Sequence, residues 1–288
     1  MLKLKNLPPV LCALLLLQTT ALAWGDNGHM VVAQIALNNL NPEKKEAAEE
    51  LAALVEFGDD GYEFVTLACW MDDIRDAPMF EPLKDWHFIT KRLIVGGAVP
   101  DAPPPPVNAV SVIEFLTERL ANKREAKLKK AFYLAELIHL TGDLHQPLHA
   151  ATRFTPDNPD GDRGGNLFLL SEDAPRPNLH SFWDSAGGSF GARNVARPLT
   201  TNGRKRIEGF AAAIEQAHPR SSLTAALNET RPAQWAAESF GLAKGVAYVG
   251  VAEGGIPNAA YTEKTKKTSD LRIALAGYRL ADILNRVL

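Results

Sequence analysis

Cysteine is nearly absent from this chain. Among 288 residues only Cys12 and Cys69 carry a thiol. Cys12 lies in a leader expected to be removed, and Cys69 alone cannot close an internal disulfide. Stability must come from the core, which a chain of this length can build without covalent staples. An excess of positive charge is missing too. The formal net charge is −3, from 31 basic and 34 acidic residues, and loss of Lys3 and Lys5 with the leader would take it to about −5. That balance excludes broad electrostatic binding to nucleic acid or to an anionic membrane, though not a nucleic acid held through bound cations. There is no Gly-rich phosphate loop, no internal repeat and no apolar stretch long enough to span a bilayer.

What is present begins with the leader. Lys3 and Lys5 precede the apolar core VLCALLLL, and Ala21-Leu22-Ala23 has the A-x-A form of a cleavage site. Residues 1–23 are expected to be a signal peptide, cut between Ala23 and Trp24. The mature chain, residues 24–288, would then be periplasmic or secreted. Trp24 would become the N-terminus, where a free α-amino group and its own carbonyl can chelate a metal as a five-membered ring. His29 closes the opening WGDNGH.

Most of the mature chain reads as helix. Met30, Val31, Val32, Ile35, Ala36 and Leu40 recur at helical spacing, and Asn41-Pro42 starts a second helix. Further helices are expected over Tyr62 to Arg75, from Asn108 to Asn122, and in a long run ending near Asp143. Arg204 to Ala217, Pro232 to Tyr248 and Ser269 to Val287 share the same period. LIVGG and Leu167 to Leu170 are expected as short extended pieces, and Thr152 to Asn166 as a long loop. The expectation is an all-α fold, a single mostly helical domain.

Chemistry concentrates in ELIHLTGDLHQPLH, Glu136 to His149. Three of the seven histidines fall there. His139 and Asp143 are i and i+4, one above the other on a helix face. Pro147 stops the helix, so His149 returns from the next turn. Imidazoles and a carboxylate converging this way suit a zinc-type site. His180 and Asp184 repeat the spacing in HSFWD. Asp72 and Asp73, adjacent on a mostly apolar helix, would be costly to bury without a metal or an arginine. His218, before Pro219, reads as part of an ordinary turn.

The motifs WGDNGH, CWMDDIR, WHF, HLTGDLHQPLH, RGGN and HSFWD stand in an order that resembles the zinc-dependent single-strand nucleases of the S1/P1 family. The resemblance runs from Trp24 to about Asp184. It implies three zinc ions in a cleft of a helical domain. By position, the first would take Asp72, His87, His139 and Asp143, and the second His149, His180 and Asp184. The third would take the amino nitrogen and carbonyl of Trp24 with His29, and share Asp143. Arg75 would support the transition-state phosphate, compatibly with an ion pair to Asp72 or Asp73. Phe88 would stack on a base or else pack in the core, and Asn166 would lie near the substrate phosphate. His145 is expected to back a ligand; Asp162 is left open. The disulfides of the fungal members are missing, which bears on robustness and not on chemistry.

The implied activity is hydrolysis of single-stranded DNA and RNA to 5′-phosphorylated products, with 3′-nucleotidase activity on nucleotides. A duplex cannot offer such a cleft a splayed base and an in-line phosphate at once. Two other readings compete. Zinc phospholipases C share the N-terminal Trp and similar ligands, but usually have Glu where this chain has Asp184. A non-enzymatic zinc-binding protein would need neither Arg75 nor an open cleft. No obligate protein partner and no stable membrane association are expected.

Overall fold

A computed structural model describes residues 24–57, 60–100 and 103–288. The expected leader lies outside the described residues, as do Gly58, Asp59 and Asp101. Among the described residues, eleven α-helices carry the architecture. The first five are α1 (Asp26–Asn38), α2 (Pro42–Ala52), α3 (Phe64–Leu67), α4 (Trp70–Asp73) and α5 (Ala109–Ala121). Then come α6 (Lys127–His145), α7 (Leu179–Asp184), α8 (Thr201–Ala217), α9 (Thr224–Leu227), α10 (Pro232–Leu242) and α11 (Ala259–Val287). Among the described residues, strands form only a hairpin, β1 (Glu56–Phe57) with β2 (Asp60–Gly61), and a parallel pair, β3 (Lys91–Ile94) with β4 (Ala151–Phe154). The fold is all-α, as expected.

The core is built on α1. Met30, Val31, Val32, Ala33, Ile35 and Ala36 are all fully buried, so this helix is apolar nearly all round and sits inside. Each larger aliphatic there contributes ~1.5–3 kcal/mol by leaving water. α11, α8, α3 and α6 surround it. Gly277 permits the α1–α11 approach, because a Cβ there would stand 2.5 Å from Ile35 Cγ2. α5 begins as the sequence predicts: the Asn108 side chain accepts the N–H groups of Val110 and Ser111.

The structure departs from expectation in several places. The helix expected over Tyr62 to Arg75 is broken into α3 and α4. In an unbroken helix the Ala68 carbonyl would accept the Asp72 N–H. Here that N–H goes to Cys69 O at 3.1 Å, and the Ala68 carbonyl accepts from His139 Nδ1 at 2.7 Å. The break therefore releases a carbonyl to orient a histidine. Leu167 to Leu170 forms no strand; Leu169 makes a single bridge to Asn178. The strand is instead β4, at the start of the expected loop. Ile89 N–H donates to His149 O at 2.9 Å, which sets β3 and β4 in register directly after the His149 turn. α11 starts ten residues earlier than its apolar period suggested, where Asn258 caps it by accepting from Tyr261 N–H. α10 ends at Leu242 in a wider turn over Ala243–Ala247.

Candidate metal centre

Six segments bring together eight side chains that could ligate metal ions. α1 supplies His29 and α4 supplies Asp72. The helical turns over Pro78–His87 end on His87. α6 supplies His139 and Asp143, the turn Pro147–Ala150 supplies His149, and α7 supplies His180 and Asp184. They form three groups: His29, His139, Asp143; Asp72, His87, His139; and His149, His180, Asp184. Within each group one ligand atom per residue lies within 4.8 Å of the others. Asp143 is the hub, and its carboxylate is fully buried. Oδ1 lies 3.3 Å from His29 Nε2, and Oδ2 lies 3.0 Å from His87 Nδ1 and 3.4 Å from His139 Nε2.

Backbone carbonyls fix the imidazoles. His139 Nδ1 bonds Ala68 O at 2.7 Å, His149 Nδ1 bonds His87 O at 2.7 Å, and His180 Nδ1 bonds Gly164 O at 2.6 Å. A carbonyl only accepts, so each Nδ1 carries a proton, and on His149 and His180, which burial keeps neutral, Nε2 is left bare. The bare Nε2 atoms of His149 and His180 then face each other at 3.1 Å. Two lone pairs that close repel unless a cation lies between them.

The donor set fits metal ions on that ground and on a second one. Both ring nitrogens of His29, Oδ1 of Asp72 and Oδ1 of Asp143 are buried without a hydrogen-bond partner, an arrangement that is costly unless something else satisfies them. The site also attracts positive charge. Burial opposes a charged His139, yet the carboxylates of Asp143 and Asp72 outweigh it and push the imidazole up to about 9. Away from that hub, burial, then His149, pushes His180 down to about 3, and burial pushes Asp184 well above the usual carboxylate range.

The other predicted residues divide. Trp24 is fully buried beside the hub: its indole N–H donates to Gly142 O at 3.0 Å, and a Cβ on Gly142 would meet both the His29 ring and Trp24. Arg75 Nη1 lies 3.9 Å from Asp72 Oδ1, and its charge is felt at His180 and Asp184. Phe88 is half-buried next to His87; Trp86 and Ile89 pack on the core but Phe88 does not. Asn166 is half-buried, with Nδ2 donating to Arg163 O at 2.8 Å.

His145 does not back a ligand. Its Nδ1 bonds Thr141 O at 2.8 Å and its Nε2 meets Arg279 Nη1 at 2.8 Å. Burial, then Arg272 and Arg279, pushes it well below the ordinary histidine value, so the ring is a neutral structural link. Asp162 pins the glycine turn to β4, accepting from Arg153 N–H at 2.9 Å. Asp72 and Asp73 find different partners. Asp72 enters a metal group, whereas Asp73 accepts from Arg197 Nη2 at 2.7 Å and Tyr62 Oη at 2.7 Å. Arg197 also reaches Asp26 at 3.3 Å, so it ties α1 to α4. Sequence reasoning offered a metal or an arginine for the pair and did not find Arg197, more than a hundred residues away.

The turn at Gly164 gives a test. Its φ is +65°, and a Cβ would lie 2.6 Å from Leu148 O, in the turn that carries His149. Gly164→Ala should lose ~1–2 kcal/mol from the left-handed backbone alone, and more from that clash, with weaker metal binding at the His149 group. Denaturant titration of the metal-free protein measures the first. Unchanged stability would show that the turn relaxes freely.

A helical fold that gathers three candidate metal-binding groups fits the class of proteins with a trinuclear metal site. The chain belongs to the S1/P1 nuclease family, whose model, S1/P1 Nuclease, matches residues 24–288. It is therefore a hydrolase acting on ester bonds of nucleic acids. Nuclease S1 of Aspergillus oryzae is 26% identical, covering 98% of this chain and 98% of its own length. Endonuclease 3 of Arabidopsis thaliana is 26% identical over 93% of this chain and 90% of its own. Nuclease P1 of Penicillium citrinum is 25% identical over 92% and 97%.

Proposed function

We propose that this protein is a zinc endonuclease of single-stranded DNA and RNA, leaving 5′-phosphates and also removing 3′-phosphates from nucleotides. The observation that carries the reading is the set of three candidate ligand groups, two of which share His139 and meet at the Asp143 carboxylate. Asp72, His87, His139 and Asp143 would hold one zinc, and His149, His180 and Asp184 a second. His29, Asp143 and the amino nitrogen and carbonyl of Trp24 would hold the third. Bound there, zinc offsets phosphate charge and provides a nucleophile at neutral pH.

The chain's own groups do the rest. Arg75, beside Asp72, would take a phosphate oxygen and neutralise charge as it develops. Asn166 would turn its second amide N–H to a substrate phosphate or its carbonyl oxygen to a sugar hydroxyl. Phe88, half-buried and next to His87 in sequence, would stack on a base, and such stacking is indifferent to which base it is. A leader cut before Trp24 would put the enzyme in a periplasm or outside the cell. Among the described residues no helix is long and apolar enough to cross a membrane.

The test uses purified protein beginning at Trp24. Loaded with zinc, it should cleave single-stranded DNA and RNA, leave phosphatidylcholine intact and lose activity to a chelator. Lipid hydrolysis without nucleic-acid cleavage would reject the nuclease reading. Phe88→Ala should raise KM more than it lowers kcat, because stacking contributes ~1–3 kcal/mol to ground and transition states alike. An unaltered KM in the folded variant would return Phe88 to a packing role.

A further inference from the structure

Gln146 is a polar residue of HLTGDLHQPLH that the three ligand groups leave out, and it is fully buried. All its polar atoms are engaged. The backbone N–H donates to Asp143 O at 2.9 Å, and the backbone carbonyl accepts from His149 N–H at 3.1 Å. The side-chain oxygen accepts from Leu148 N–H at 2.5 Å. Because Leu148 N–H can only donate, the atom facing it must be oxygen, which fixes the amide's orientation. The NH2 group is then the one that meets Asp184, donating to Oδ1 at 2.7 Å. One residue thus touches three ligand-bearing residues, Asp143, His149 and Asp184.

We infer that Gln146 is the positioning residue of the His149, His180, Asp184 group, holding Asp184 to one donor oxygen while it shapes the turn that carries His149. This rests on the metal reading above. With Oδ1 occupied by the amide, Asp184 offers Oδ2, which lies 3.6 Å from His180 Nε2. The group then has three protein donors, the number found in catalytic sites that keep a position open for water or substrate. An unrestrained carboxylate is free to turn both oxygens to the ion and fill that position. Gln146 also acts on the turn, since its oxygen serves Leu148 immediately before His149.

Two variants separate the roles. Gln146→Met removes both side-chain bonds at similar size. Gln146→Glu keeps an oxygen for Leu148 N–H but replaces the N–H donor facing Asp184 with a second carboxyl oxygen. Zinc is titrated against a competing chelator in the full mature chain, alongside thermal melts of the metal-free protein and circular dichroism. The wild type should bind three ions. Both variants should hold two at wild-type affinity and the remaining one ~10–100-fold more weakly, the usual effect of losing a group that orients a ligand. Supporting the turn without holding the carboxylate should not rescue that loss, so Gln146→Glu should not recover the third ion. If the wild type binds three ions and the folded variants bind all three as tightly, the inference is overturned alone. It is overturned as well if all three ions weaken together, because that is loss of the fold rather than of one ligand. A wild type that binds fewer than three overturns the metal reading and the inference with it.

Discussion

Asp143→Ala should remove two metal ions and lower turnover on single-stranded DNA by roughly 10³-fold or more. That magnitude comes from losing several kcal/mol of transition-state charge stabilisation at ~1.4 kcal/mol per tenfold. The reason is positional. Oδ1 faces His29 and Oδ2 faces His87 and His139, so one carboxylate serves two ligand groups. Without it, cations at both groups would lose a buried carboxylate that lies between them. His149→Ala should behave differently, because His149 belongs to a single group; it should weaken one ion and leave two. Metal analysis and single-turnover kinetics on both variants check this. Near-normal turnover in Asp143→Ala would end the bridging role.

The metal-free form of the same variant gives a pH signature. His139 is held charged up to about 9, above its ordinary 6.5, although burial opposes it, because Asp143 and Asp72 outweigh that cost. A raised value means the stabilisation is fully present below 6.5 and is lost as pH rises through about 9. Removing Asp143 should therefore destabilise the metal-free protein most below about pH 6.5 and least above about 9. Chemical denaturation at the two ends measures the difference.

What the sequence made legible was local. The His139–Asp143 pair, the Pro147 stop and the return of His149 depend on spacing within one segment, and the structure keeps all three. The HxxxD spacing of α7 was readable for the same reason. What stayed hidden depends on partners far along the chain. The break at Ala68 makes sense only once His139 needs a carbonyl. Asp73 and Arg197 are 124 residues apart, and no periodicity links them. His145 stands in the richest histidine cluster, yet its ring turns toward Arg279 of α11. Its place in the motif pointed to a role behind a ligand, where packing decided otherwise. β4 was missed because Ala151-Thr152-Arg153-Phe154 does not alternate strongly; the hydrogen bond from Ile89 N–H to His149 O creates the pairing.

A single alanine added before Trp24 should leave the third metal site empty or weak and cut cleavage of single-stranded DNA sharply. The expectation starts from Trp24's place. The residue is fully buried, its indole is tied to Gly142 O, and it lies against the same helical turn as His29. Gly25 N–H donates to Asp184 O at 2.9 Å, which anchors the residue after Trp24 beside a candidate ligand. The Trp24 nitrogen would ligate only as a free amine. As an amide it is planar, its lone pair is delocalised, and it binds zinc only after losing a proton it holds tightly. The free α-amino group has a pKa of ~7.7–8.0, so zinc can displace its proton near neutral pH. Leader removal would then switch the enzyme on, and an uncleaved precursor would spare the RNA of the compartment that makes it. The comparison is mature protein beginning at Trp24 against the Ala-extended form, both folded and both given excess zinc. The mature form should bind three ions and the extended form two, with His29 alone from α1 unable to retain the third against a chelator. Equal zinc content and equal cleavage in the two forms would mean that the N-terminal amine is dispensable, and the switch would fail with it.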